Sequence, residues 1–233
     1  MATQSILPYT FKLLENNSSE FIQGTIDGYQ QPDERFIVEY YDKNQLDGVY
    51  IFVLYYKESV FNYETNGFKL IDTSKSIAIQ FHINLLLGTL DIWSGKKYAQ
   101  KLITALTMMF ENKIIMEPYE ISFEKSMKFL KMLPNITIGI VKVEDVSFDK
   151  DIIASCTFNL TTHSEPFTVL DKYIQRISKI TITINSTAFE NNDDTVSLSI
   201  YQSGAIVIYK SRNQLSTLTL EKIQKLLEES RRM

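Results

Sequence analysis

Apolar and polar residues alternate along FIVEYY (36–41), GFKLID (67–72), SIAIQFHI (76–83) and TLDIW (89–93), a period of two that predicts strands. The period then changes. From Lys96 to about Glu111, Leu102, Ile103, Leu106, Met109 and Phe110 recur at steps of three and four, the stripe of an amphipathic helix that needs a sheet to cover. The same spacing predicts a helix from Phe123 to Met132, and Pro134 ends it. Further on, ITIGIVKV (136–143), IIASCTF (152–158), KITITI (179–184), VSLSIY (196–201) and AIVIY (205–209) read as strands. PFTVLDKYIQRI (166–177) reads as a helix opened by Pro166, whose missing N–H is harmless in a first turn. A last helix starts at Ser216 or Thr217. Leu218, Leu220, Ile223, Leu226 and Leu227 form its dry stripe, with Glu221 and Lys225 four apart on the wet side.

One pattern occurs twice. GTLDIWSGKKYAQKLITAL from Gly88 and GAIVIYKSRNQLSTLTLEKIQKLLEES from Gly204 both run glycine, alternating strand, aromatic (Trp93, Tyr209), basic link, amphipathic helix. At that offset, 116 residues from 88 to 204, Phe36, Ile37 and Val38 fall on Ile152, Ile153 and Ala154. Leu90, Ile92 and Trp93 fall on Ile206, Ile208 and Tyr209. The segment from about Leu46 to Glu58 falls on the Pro166 helix, and this favours helix there over the strand that its β-branched and aromatic residues suggest. An internal repeat of this length implies a pseudo-twofold fold. The expected architecture is α+β: two repeats, residues 1–116 and 117–233, joined edge to edge in one curved antiparallel sheet, a saddle with its helices on the convex side. Residues 123–132 are an inserted helix in the second repeat.

Composition narrows the classes. With 233 residues, 44% of them hydrophobic, and Gly and Pro at 8 and 5, the chain has enough apolar material for a core and no low-complexity tract. The opening stretch lacks the look of a secretory leader and no apolar run approaches membrane-spanning length, so the expectation is a soluble intracellular protein, cytoplasmic or nuclear. One cysteine, Cys156, makes no internal disulfide. Net charge is −4, so any nucleic-acid site has to be local.

Several segments together resemble the TATA-binding protein superfamily. DIIASCTF (151–158) is similar to its first repeat strand. SLSIYQSGAIVIYKSR (197–212) is similar to its hairpin and basic helix entry, and FNYETNGFKLI (61–71) to its stirrup loop followed by phenylalanine and strand. The similarity covers roughly Phe36 to Phe110 and Asp151 to Glu229. The drift and the Ile-, Asn- and Tyr-rich usage resemble the divergent members found in large DNA viruses that replicate in the cytoplasm.

The resemblance implies a transcription initiation factor without enzymatic activity or cofactor. Its concave sheet would lie in an A·T-rich minor groove, aromatic wedges would kink the duplex, and its other surfaces would recruit a general transcription factor or RNA polymerase. Neither a membrane nor a small-molecule substrate is implied. Carried over residue by residue, the wedges are Phe68 and Tyr201. Val207, Tyr209, Ser197 and Ser199 share the DNA-facing side with Tyr201, and Gln80, His82 and Trp93, beside Asp91, take the corresponding places in the first repeat. Lys96, Lys97, Lys210 and Arg212 are the phosphate contacts at the rim. Arg35 and Asp151 stand where the family has asparagines; an arginine suits a narrow groove and an aspartate does not.

The remaining chemistry is sparse. His82, His163 and Cys156 show no zinc spacing, and SGKK (94–97) lacks the upstream glycine and hydroxyl residue of a phosphate-binding loop. Glu144, Asp145, Asp149 and Asp151 read as a solvated loop, with a metal-dependent nuclease as the rival reading. The alternatives to an initiation factor are a protein-interaction scaffold that keeps the saddle and a nuclease accessory subunit.

Overall fold

A computed structural model describes residues 4–14, 19–29, 36–43, 47–64, 67–149, 152–185, 195–210 and 214–230. Arg35, Asp151 and Arg212 therefore lie outside the described residues. The fold is α+β, with antiparallel sheet and, among the described residues, five α-helices. It divides into two compact units, Tyr9–Glu117 and a second made of Met1–Pro8 with Pro118–Met233. The first eight residues thus belong with the second half of the chain.

In chain order the elements are β1 (Gln4–Thr10), β2 (Lys12–Leu13), α1 (Ser19–Gly28), β3 (Phe36–Lys43), β4 (Asp47–Glu64), β5 (Gly67–Asn84), β6 (Thr89–Trp93), α2 (Lys96–Met109), β7 (Ile114–Ile115) and α3 (Phe123–Met132). There follow β8 (Ile136–Asp149), β9 (Ile152–Asn159), α4 (Pro166–Tyr173) with a 3-10 turn to Arg176, β10 (Ile177–Ile184), β11 (Val196–Tyr201), β12 (Ile206–Ile208) and α5 (Thr217–Glu229).

In the unit Tyr9–Glu117 the order is β3-β4-β5-β6, each neighbour antiparallel. β4 and β5 are 18 residues each and pair in unbroken register from Glu64 opposite Gly67 to Asp47 opposite Asn84. Their neighbours are shorter. β3 stops pairing at Phe36 opposite Leu54, and β6 at Trp93 opposite Gln80. Tyr55–Glu64 and Gly67–Ser76 therefore project past β3 as a two-stranded ribbon, about 30 Å long at roughly 3.3 Å per residue.

The helix expected from Leu46 to Glu58 is not there: Asp47 onward is strand β4. The repeat offset suggested helix, but Val49, Ile51 and Val53 are β-branched and gain a continuous ladder against β5. Likewise 67–72 and 76–83 are one strand, because Thr73–Lys75 stay paired with Tyr56–Glu58.

The odd positions of β5 (Ile79, Phe81, Ile83) and Leu90 and Ile92 of β6 form the core with Ala99, Leu102, Leu106 and Met109 of α2. Phe110 closes it, edge-on to Phe11 at 6.2 Å. β2 and β7 pair as a small separate ladder, and α1 contributes Ile22 and Ile26 to the buried set.

In the second unit the order is β1-β12-β11-β10-β8-β9. Apolar residues at alternate positions are buried: Ile180, Ile182 and Ile184 of β10, Val196, Leu198 and Ile200 of β11, Ile206 and Ile208 of β12, and Ile6 of β1. α3 and α5 supply Phe123, Met127 and Leu130, and Ile223, Leu226 and Leu227. Leu218 is exposed instead of dry, because the buried stripe of α5 runs through Thr219, Ile223 and Ser230. Ser122 and Ser216 cap α3 and α5, accepting from the N–H groups of Lys125 and Thr219 at 3.3 and 3.2 Å. The helix at 123–132 is joined to α5 by a hydrogen bond between the buried hydroxyls of Ser126 and Ser230 at 2.8 Å.

Candidate functional site

Each unit has one sheet face spent on its core, which leaves the other face to carry chemistry. In the unit Tyr9–Glu117, Gln80 stands directly opposite Trp93 and His82 opposite Asp91. The four expected positions therefore meet as two adjacent cross-strand pairs. Gln80, His82 and Trp93 are half-buried and Asp91 is 5% exposed. No pairing shift interrupts β4 and β5 from Gly67 to Asn84, so Phe68, Gln80 and His82 lie on one continuous strand. Phe68 lies at the far end of the ribbon, opposite Tyr63 and next to Gly67.

Trp93 leads within three residues into α2. Gly95 caps that helix without a side-chain hydrogen bond, its first turn holds no acidic residue, and Lys96 and Lys97 there are exposed. Two cations beside the positive end of a helix dipole are unfavourable by a few tenths to about 1 kcal/mol each unless an anion is nearby. Lys97 Nζ also lies 5.8 Å from the centroid of the Tyr98 ring.

In the second unit the comparable face is a hydroxyl ladder. Thr183 and Ser197 are bonded at 2.9 Å, as are Thr181 and Ser199, and Ser199 meets the Tyr209 hydroxyl at 2.9 Å. Val207 is opposite Ser199. Ser199 is 0% exposed, which corrects its expected place on the contact surface: it supports Thr181 and Tyr209 from beneath. Tyr201 is half-buried with Lys179 Nζ 5.3 Å from its ring centroid. Lys210 is half-buried just after β12.

Lys179, Thr181 and Thr183 were not singled out from the sequence. Their signal was available, since KITITI alternates polar and apolar residues, and the register of β10 on β11 brings the polar set beside Ser197, Ser199 and Tyr201.

The acidic stretch expected as a loop is strand. Glu144 and Asp145 sit where the β8 and β9 registers slip between Val143 and Val146, a bulge in which Asp145 takes φ +54°. The bulge turns Glu144 toward three strands' side chains. Its Oε1 is 2.6 Å from Lys142 Nζ and accepts from Ser178 at 3.1 Å, and its Oε2 accepts from Ser155. Lys142 first, and then the serine donors, hold the Glu144 carboxyl at about 2, well below its ordinary range. Glu144 therefore ties β8, β9 and β10 together.

His163 Nδ1 accepts from the Glu165 N–H at 3.0 Å in an exposed turn. Among the described residues no group of three or more His, Cys, Asp or Glu is placed to hold a metal ion, and no helix is long and apolar enough to cross a membrane. A cavity of about 180 Å³ lies between the start of α3 and the 3-10 turn, lined by Ser122, Glu124, Gln175 and Gln202 among others. No family model and no curated protein sequence matches the chain.

Proposed function

We propose that this chain is a non-enzymatic, TATA-binding-protein-like DNA-binding factor that engages promoter DNA through polar sheet faces and recruits a general transcription factor or RNA polymerase. The observation that carries this reading is a single strand: β5 runs from Phe68, at the end of a projecting ribbon, to Gln80 and His82 at its base, where they pair with Trp93 and Asp91. Trp93 pairs with Gln80, and the exposed Lys96 and Lys97 follow it in the chain at the start of α2. The order suits a duplex, with an aromatic for a base step, an amide and imidazole for groove acceptors, and cations for phosphates.

The two-repeat saddle belongs to the same proposal. Each unit closes a hairpin with a positive-φ glycine, Gly88 at +61° and Gly204 at +85°, followed by a short strand and a long helix. The second face differs in chemistry: Thr181, Thr183, Ser197 and Tyr209 give it hydroxyls, which serve as donors to minor-groove acceptors.

A second reading, a protein-interaction scaffold, is favoured by one observation: the ladder hydroxyls already bond one another and Lys179 lies over Tyr201, so this face reaches self-sufficiency without DNA.

Trp93 is the only tryptophan, so its fluorescence reports on the site directly. Titration with an unlabelled A·T-rich duplex is expected to quench Trp93 emission, and a labelled duplex to gain anisotropy. Lys96→Ala with Lys97→Ala should weaken both and flatten the salt dependence by about two phosphate contacts, and Phe68→Ala with Tyr201→Ala should reduce bending measured by energy transfer between duplex ends. A duplex that changes neither signal at low salt refutes DNA binding and leaves the scaffold.

A further inference from the structure

We infer that β9 is a homodimerisation edge, across which two copies of this chain pair antiparallel. β9 ends the sheet of its unit, with β8 as its only strand partner among the described residues. An open edge normally carries a guard, such as a lysine, a proline or an inward charge, against pairing with another chain. The edge strand β3 has Glu39, Asp42 and Lys43. β9, reading IIASCTFN, has no charge and no proline in eight residues. The bulges beside it insert their extra residues into β8, so β9 itself stays regular.

The occupant is a second copy because β9 is complementary to itself about Cys156, with a hydroxyl residue on either side, and carries no charge. A chain of net charge −4 repels its own copy over most of its surface, and a twofold contact sets residue i against residue j and j against i, so a charged strand would meet charges of its own chain. A strand without charges is a place where that repulsion is lowest, and the nearby Glu144 carboxylate is already held by Lys142 at 2.6 Å. A register centred on Cys156 sets Ser155 opposite Thr157 of the second copy, the hydroxyl pairing that β10 and β11 make at 2.9 Å within the chain. It also sets Phe158 against Ala154, a large side chain against a small one, and covers Ile153, which is 70% exposed.

In that register the two Cys156 residues face each other, with Cα atoms about 4.5–5.5 Å apart, within the span a disulfide bridges. Diamide, as a two-electron oxidant taking up the two thiol protons, then joins them covalently. Sedimentation velocity over a concentration series is expected to show mass rising toward twice that of one chain. Diamide should yield a covalent dimer on a non-reducing gel, lost in Cys156→Ser. Ile153→Lys with Thr157→Lys, two exposed positions, should sediment as monomer with an unchanged thermal melt and a large loss of cross-linking. A wild-type chain that sediments as a monomer throughout and gives no cross-link overturns the proposal, as does a dimer that the two lysines leave intact. Should the lysine variant fail to fold, the wild-type cross-link decides.

Discussion

Gly204 and Gly88 occupy like places in their hairpins, yet replacing each with alanine should have unequal effects. At Gly88, φ is +61° and an added Cβ meets only the Phe11 carbonyl oxygen at 3.4 Å, an ordinary contact. The variant then bears the left-handed backbone penalty alone, about 1–2 kcal/mol. At Gly204, φ is +85° and the added Cβ falls 2.2 Å from the Tyr119 carbonyl oxygen and 3.0 Å from Pro8 Cγ. Neither is the end of a flexible side chain, so backbone has to move.

The segment that moves is tied down on both sides. The Tyr119 N–H donates to Pro8 at 3.4 Å and the Ile121 N–H to Gln202 at 3.2 Å. Losing both adds about 1–3 kcal/mol at roughly 0.5–1.5 each. The total for Gly204→Ala is on the order of 2–5 kcal/mol, against about 1–2 for Gly88→Ala. At about 2–4 °C per kcal/mol for a chain of this size, Tm falls by roughly 4–20 °C and 2–8 °C respectively. Urea unfolding followed by far-UV circular dichroism gives the two free energies, with calorimetry for Tm. Equal losses, or a Gly204→Ala protein within about 1 kcal/mol of wild type, would refute the steric argument.

Three further outcomes are expected. Glu144 has its folded pKa depressed to about 2 from an ordinary value of 4.5, so the stability it contributes is present above 4.5 and lost as pH falls through 2. Glu144→Gln should therefore be less stable than wild type at pH 7, with the gap closing toward pH 2 and shrinking in high salt because the side chain is about a third exposed; a gap that ignores pH contradicts this. Ser126→Ala should cost about 1–3 kcal/mol by taking the partner from the buried Ser230 hydroxyl, and Ser230→Ala less, because the Ser126 hydroxyl still donates to the Ser122 carbonyl at 2.9 Å; the double variant should cost less than their sum, as a double-mutant cycle in urea would measure. Ser216→Ala should cost about 1 kcal/mol and fray α5 from its first turn, read by amide exchange at Leu218 and Thr219.

Several elements were legible because their signals are local. The bounds of α3 follow from spacing and Pro134, those of β11 from alternation, and the start of α5 from Ser216. β4 was misread because the repeat offset outweighed its β-branched residues, and the strand that stabilises it returns only after the hairpin. The strand β1 was not anticipated. Its partner β12 stands about two hundred residues away, with Ile6 opposite Ile206, and Leu7, Pro8 and Tyr9 carry no alternation strong enough to announce it. Of the candidate site, period two set Gln80 with His82 and Asp91 with Trp93, and the resemblance put both pairs on one face; their cross-strand register, the burial of Ser199 and the tie at Glu144 were not legible.

The sequence by itself determined where most strands and helices run and which residues each hides, since a period of two or of 3.6 is a property of consecutive residues. Only the tertiary structure decided the rest. The projecting ribbon, the membership of the first eight residues in the second unit and the bulge that aims Glu144 depend on the register between strands distant in the chain. Register is fixed by burial of whole faces together, which no single segment encodes.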